Sequence, residues 1–226
     1  MCGRFAFFSA AEAVQQLFGV DDASLAVTPQ YNIAPTDLAA VIRQTDSGRS
    51  LGMLHWGLLP FWAKDKKMAA RMINARAETV AEKPAYRAAF KSTRCIVPAD
   101  GYYEWVTRDG EEHPWYITDE RDRPLGMAGL WSSWTAPDKS ETRETFTVLT
   151  TEAVGSIASL HHRMPVMLDD VTAEHWLAGG DSNPPALRDI IAVGHATPLR
   201  AWRVSRAVNN ARNEAPELIQ PANDDE

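Results

Sequence analysis

Residues 38–58 read Leu38-Ala39-Ala40-Val41-Ile42-Arg43-Gln44-Thr45-Asp46-Ser47-Gly48-Arg49-Ser50-Leu51-Gly52-Met53-Leu54-His55-Trp56-Gly57-Leu58. Leu38–Arg43 and Leu51–Leu58 are apolar runs of strand length. Between them, Thr45–Ser50 is polar and carries one glycine, which is turn chemistry. The two runs are therefore expected to pair as a hairpin. The pattern repeats downstream. Gly101–Val106 reads as a strand, turns at Arg108-Asp109-Gly110 and returns through Trp115–Ile117. Arg94–Pro98, Leu125–Trp131, Phe146–Thr150, Val166–Leu168 and Leu199–Ser205 read as further strands, with Ser132–Glu144 a polar loop between two of them. Cys95, inside an apolar strand, is expected to be a small core residue.

Helices are few and short. Ser9-Ala10-Ala11-Glu12 has capping-box spacing and opens a helix through Leu17, stopped by Gly19. Pro84–Lys91 places proline in a first helical turn. Ala153–Leu160, Thr172–Ala178 and Pro185–Ile191 complete the set. From Asn209 onward periodicity fades into a packed strap, Pro216–Ile219, and an acidic, disordered tip. Many short strands with few helices predict a mixed α+β, compact, sheet-rich single domain, with residues 1–221 as the domain and 222–226 as the tip.

Composition narrows the function. The 226 residues include 23 Lys and Arg against 30 Asp and Glu, a net charge of −7. This argues against a protein that coats nucleic acid over its whole surface, but permits a local basic groove. Eight tryptophans supply either a large core or stacking surfaces for bases and sugars. Two cysteines without a C-x-x-C pair speak against structural zinc. With no signal-peptide pattern and no apolar run long enough to span a bilayer, an intracellular, cytoplasmic setting is expected.

Four short segments carry chemistry. In Met1-Cys2-Gly3-Arg4-Phe5, loss of Met1 would put an α-amine and a thiol on one residue. Their ordinary pKa values, near 8 and 8.5, leave a usable fraction of each deprotonated at neutral pH. An aldehyde can condense with such an amine to an imine, and the thiol can close a five-membered thiazolidine by an intramolecular step. Arg4 adds a positive charge expected to favour the thiolate. These residues equally fit a chain whose Met1 is trimmed and whose Cys2 does nothing more. In Asn74-Ala75-Arg76-Ala77-Glu78, the three polar residues share a face if the segment is extended, lining either a pocket or an exposed edge. Glu104, between Tyr103 and Trp105, is a carboxylate of raised pKa if it points inward and a solvated strand residue if outward. Of His161 and His162, at most one can face a site, and Arg163 beside them carries a rigid fork suited to phosphate.

In this order and spacing, the four segments closely resemble the SOS response-associated peptidase (SRAP) family. The resemblance extends to Tyr31-Asn32-Ile33-Ala34-Pro35, Trp56-Gly57-Leu58, Pro60–Asp65, Val208-Asn209-Asn210 and Pro216-Glu217-Leu218-Ile219. It implies a compact sheet-rich fold with a positively charged groove, and covalent shielding of abasic sites in single-stranded DNA. It further implies that Cys2, exposed by autoproteolytic loss of Met1, is the nucleophile. Asn74 and Glu104 would position the reacting groups and move their protons, and His161 would act as acid/base on the sugar oxygen. Arg4, Arg76 and Arg163 would hold phosphates, and Trp62 and Pro35 would border and stack on the DNA. No cofactor is implied and a monomer is expected. A general thiol peptidase built on Cys2 and His161, or a non-catalytic single-stranded DNA-binding module, are the competing readings.

Overall fold

The computed structural model describes residues 2–21, 27–178 and 184–222. Thirteen strands dominate them: β1 (Arg4–Phe7), β2 (Gln30–Ile33), β3 (Leu38–Thr45), β4 (Gly48–Trp56), β5 (Asn74–Arg76), β6 (Arg94–Ala99), β7 (Gly101–Arg108), β8 (Glu111–Asp119), β9 (Leu125–Thr135), β10 (Thr142–Glu152), β11 (Arg163–Pro165), β12 (Met167–Leu168) and β13 (Leu199–Arg203). The α-helices are α1 (Ala11–Phe18), α2 (Arg87–Ser92), α3 (Asp170–Leu177) and α4 (Pro184–Gly194). Of the expected acidic tip, 222–226, residues 223–226 lie outside the described residues.

The opening hairpin forms as its sequence predicts. β3 and β4 pair antiparallel from Leu38↔His55 to Thr45↔Gly48. Continuing through β6, β9 and β10, the sheet returns to β4, because β10 pairs with both β9 and β4. These five strands close into a barrel, and closure removes its edges. β5, β11 and β12 attach outside that ring. A second, five-stranded sheet runs β13-β8-β7-β1-β2. Its β7–β8 hairpin turns through Asp109 (φ 54°) and Gly110 (φ 81°), the two left-handed residues that a tight two-residue hairpin requires.

The main core fills the barrel and the space beneath the second sheet. Trp56 is fully buried and lies edge-on to Phe5, with ring centroids 4.9 Å apart. Phe5 thus ties the N-terminal strand to the barrel. A smaller cluster of Ala6, Tyr103, Tyr116, Val204, Val208 and Leu218 holds the C-terminal strap against the other face of the second sheet. At the end of β4, Gly57 has φ 123°, and a Cβ there would stand 2.4 Å from the Ala69 carbonyl oxygen. Only glycine lets the chain turn at this point into the segment bearing Trp62.

Four local expectations change, the first being that α2 starts at Arg87, so Pro84 precedes the helix instead of opening its first turn. Helix α1 starts at Ala11 and has no side-chain cap. The Ser9 hydroxyl and backbone N–H, together with the N–H of Phe8, donate instead to the Asp100 carboxylate. The segment Ser132–Glu144 is mostly strand, since β9 runs to Thr135 and β10 starts at Thr142. Its polar residues alternate with buried Trp134, whose Nε1 donates to the Ala63 carbonyl at 2.7 Å, so one face is inside and the other wet. The helix expected at Ala153–Leu160 is a single 3-10 turn, Gly155–Ser159.

Candidate functional site

Strand β1 pairs with β7 in the register Arg4↔Tyr103 and Phe5↔Tyr102. The residues preceding Arg4 therefore run alongside Glu104. Side chains alternate along β7. Tyr102 faces the main core, which also holds Cys2, while Tyr103 faces the smaller cluster. By the same alternation, Glu104 points to the Cys2 side. The barrel supplies the remainder: β5 lies parallel to β10 with Asn74 opposite Val148, and β10 also carries β11, the strand just after His161. The site forms where the second sheet meets the barrel.

Cys2 is fully buried. Asn74 Nδ2 donates to the Cys2 carbonyl oxygen at 2.7 Å, and Tyr86 Oη donates to the Asn74 carbonyl at 3.1 Å. Burial pushes the Cys2 thiol well above its ordinary pKa, and the charge of Glu104 pushes it further. This overturns the expectation that Arg4 favours the thiolate. The Arg4 guanidinium turns away, to Asn32 and the Val208 carbonyl, so desolvation outweighs it.

Glu104 is inward-facing and only 2% exposed. Burial raises its pKa to about 6, against the opposing pull of the positively charged amino terminus. Its Oε1 stands 3.9 Å from His161 Nδ1. His161 moves the other way, lowered by burial and then by the amino-terminal charge. A carboxyl raised and an imidazole lowered approach one another in proton affinity, which suits them to exchange a proton near neutral pH. The Arg163 backbone serves the ring in either state. Its N–H donates to Nδ1 at 2.9 Å when the ring is neutral, and its carbonyl lies 3.1 Å from Nδ1 to accept when the ring is protonated. His162 is exposed, with its ring centroid 4.3 Å from that of His161.

The residues expected to hold DNA fall into different situations. Arg4, Glu104, Trp105, Glu112, His161 and Asn209 line an open cavity of about 450 Å3. Arg4 lies over the Trp105 ring, 5.8 Å from its centroid. Arg163 is buried and engaged. It donates to both carboxylate oxygens of Glu78, at 2.7 and 2.9 Å, and to the Thr150 carbonyl at 2.5 Å. Glu78 sits in the turn after β5, so only Asn74 and Arg76 of the expected polar face are on the strand itself. Arg76 is exposed. Trp62 is exposed at 46% and its neighbour Phe61 at 72%. Pro35 is half-buried beside Thr36, which takes φ 78°. That strained turn is held by Thr36 N–H to Trp56 O at 2.8 Å and by Ala34 N–H to the Asp37 carboxylate at 2.9 Å. Strain of this kind persists only where its surroundings over-determine it.

Two participants escaped the residue-by-residue reading. Glu78 stood out as polar but not as the partner of Arg163. Asn32 lay inside a quoted motif, yet nothing local marks its amide as a buried hub, because its acceptors lie some 180 residues downstream.

A sequence profile described as SOS response associated peptidase (SRAP) matches residues 1–211. The chain is 38% identical over 223 residues to the abasic site processing protein YoqW of Bacillus subtilis (strain 168), covering 97% of this chain and 99% of that one. It is 31% identical to the abasic site processing protein YedK of Escherichia coli (strain K12), covering 98% and 100%. It is 34% identical to the abasic site processing protein HMCES of Xenopus tropicalis, covering 84% of this chain and 65% of that protein. A crystal structure of a protein from Bacteroides thetaiotaomicron superposes with a TM-score of 0.78 at 26% identity, covering 98% of this chain and 100% of the other.

Proposed function

The chain belongs to the SOS response associated peptidase family, and on that premise we propose that it captures abasic sites in single-stranded DNA through a covalent bond to Cys2. The observation that carries this reading is convergence. Asn74 grips the Cys2 backbone, and the Glu104–His161 pair stands beside it at one cavity that Arg4 lines.

Hydrolysis of the Met1–Cys2 peptide bond, an autoproteolytic step, consumes a water, releases methionine and leaves Cys2 with a free amine. An abasic nucleotide opens its deoxyribose ring to an aldehyde, with His161 as acid/base on the ring oxygen. The amine adds to the aldehyde carbon and water leaves, forming the imine, with Glu104 taking and returning the proton. The thiol then adds across the C=N bond. A C–S bond forms, the S–H proton ends on nitrogen, and a thiazolidine closes. The positive charge of the protonated imine offsets the raised pKa of the buried thiol at that step.

An abasic nucleotide offers no base edge, so recognition rests on phosphate contacts and strand shape. Arg4, acted on by the charge of Asp37, and Arg76, which acts on Glu78, make no direct ion pair among the described residues and supply positive charge. Arg163 supports the site through its backbone contact with His161. Trp62 and Pro35 border the strand, where aromatic stacking is indifferent to sequence.

The test is direct. Incubated with an oligonucleotide carrying one abasic site, the protein gives a species stable on a denaturing gel. Its mass is the sum of Met1-free protein and opened oligonucleotide, less one water. Cys2→Ala gives none. Wild-type protein that stays uncoupled despite having lost Met1 would refute the reading.

A further inference from the structure

We infer that Asn32 is a positioning residue that locks the Arg4 guanidinium at the cavity and fastens it to the segment ahead of the C-terminal strap, residues 206–213. The inference rests on the DNA-capture reading for what Arg4 grips, but not for how Arg4 is held.

Asn32 is 1% exposed, on β2 next to β1. Its Oδ1 accepts from Arg4 Nη1 at 2.6 Å. Its Nδ2 donates to the carbonyls of Asn213 at 2.8 Å and Asn210 at 3.1 Å, with that of Val208 more distant at 3.4 Å. One amide therefore serves two chain segments, and its planarity fixes the angle between them. Arg4 Nη1 closes the ring by donating to the Val208 carbonyl at 2.8 Å. The next residue of that segment, Asn209, lines the cavity and accepts from Trp105 Nε1 at 2.7 Å.

An arginine free in solvent surrenders side-chain entropy when it grips a phosphate. With Nη1 engaged twice, Arg4 has already surrendered it on folding. Among the described residues Arg4 makes no direct ion pair, Asp37 acting on it only through its charge, and no hydrogen bond runs from Nη2, so that donor remains for an anionic ligand. Arg163 shows the opposite arrangement, its fork filled by Glu78.

The experiment compares wild type, Asn32→Ser, Asn32→Asp, Arg4→Gln and the Asn32→Ser/Arg4→Gln double variant. Crosslinking rate is measured against concentration of an abasic oligonucleotide. Asn32→Ser removes the amide's contacts to both segments; loss of the one to the charged Arg4 predicts that it raises the half-saturating concentration roughly tenfold, with the saturating rate little changed. In the Arg4→Gln background the same substitution should add almost nothing. A purely structural asparagine would instead give additive effects in the double variant, and that result overturns the inference.

A ligand-free arm separates failure of this inference from failure of the DNA reading. In side-chain NMR of the unbound protein, Arg4 should show slow guanidinium rotation in wild type and fast rotation in Asn32→Ser. Asn32→Asp keeps the oxygen acceptor but not the donors. It should leave Arg4 slow while speeding hydrogen exchange of the 206–213 amides by about tenfold or more. If wild type forms no crosslink, the DNA reading fails and this arm alone decides. Equal Arg4 rotation in wild type and Asn32→Ser would overturn the inference.

Discussion

Glu104 carries a cost that its chemistry explains. Its pKa is raised from 4.5 to about 6 because burial disfavours the carboxylate. The folded state therefore holds a proton that the unfolded chain has already lost. Stability is greatest below pH 4.5 on this account and falls as pH rises toward 6. The difference is about 2 kcal/mol at 1.36 kcal/mol per unit. Glu104→Gln removes the penalty, so at pH 7.5 this variant should be more stable than wild type by about that amount, measured by urea denaturation. It should crosslink abasic DNA slowly and lack the loss of rate expected of wild type below pH 6. A variant both less stable and equally active would show that the buried carboxylate neither costs stability nor moves the proton. Stability sacrificed at a reactive site is a recurrent trade.

At the scale of elements, the joint between β10, β11 and the turn after β5 depends on one guanidinium. Arg163 bridges Glu78 and the Thr150 carbonyl, while its backbone holds His161. Lysine carries the same charge but cannot make the two-pronged contact. Arg163→Lys should cost about 1–2 kcal/mol in urea denaturation. That is less than a fully buried pair would cost, because the Glu78 side chain is 48% exposed and solvent screens it. Bonding to Arg163 lowers the Glu78 pKa, so this contribution is present above pH 4.5 and fades as acid titrates Glu78. In Arg163→Lys the acid-side loss should shrink. The strands themselves were legible in the sequence. Leu38–Leu58 and Gly101–Ile117 announce their pairing through apolar runs and turn residues. The tail of β9 and head of β10 were not, because one wet face makes a strand resemble a loop. The cap of α1 was misread because Asp100, 91 residues away, claims the Ser9 hydroxyl.

For the whole molecule, a net charge of −7 means that attraction to DNA is local. On the proposed reading Arg4 and Arg76 are the arginines left to meet phosphates, since Arg163 is bonded to Glu78. Two to three phosphate contacts predict that log K for unmodified single-stranded DNA falls with log salt at a slope of about −2. Titrating fluorescent oligonucleotide at several salt concentrations measures it. A slope of about −5 or steeper would place the binding surface well beyond the cavity that Arg4 lines.

The amino-acid sequence by itself determined the class of fold and the family, and it marked out the candidate segments. Each of these is written in short-range patterns: alternation along strands, turn dipeptides, a cysteine at position 2. Only the tertiary structure decided what those residues have become. Cys2 is buried and its thiol raised rather than activated by Arg4. Glu104 points inward, Arg163 is bound to Glu78, and Asn32 joins the two ends of the chain. Proton affinities and hydrogen-bond partners depend on burial and on groups far off along the chain, and neither exists until the second sheet closes against the barrel.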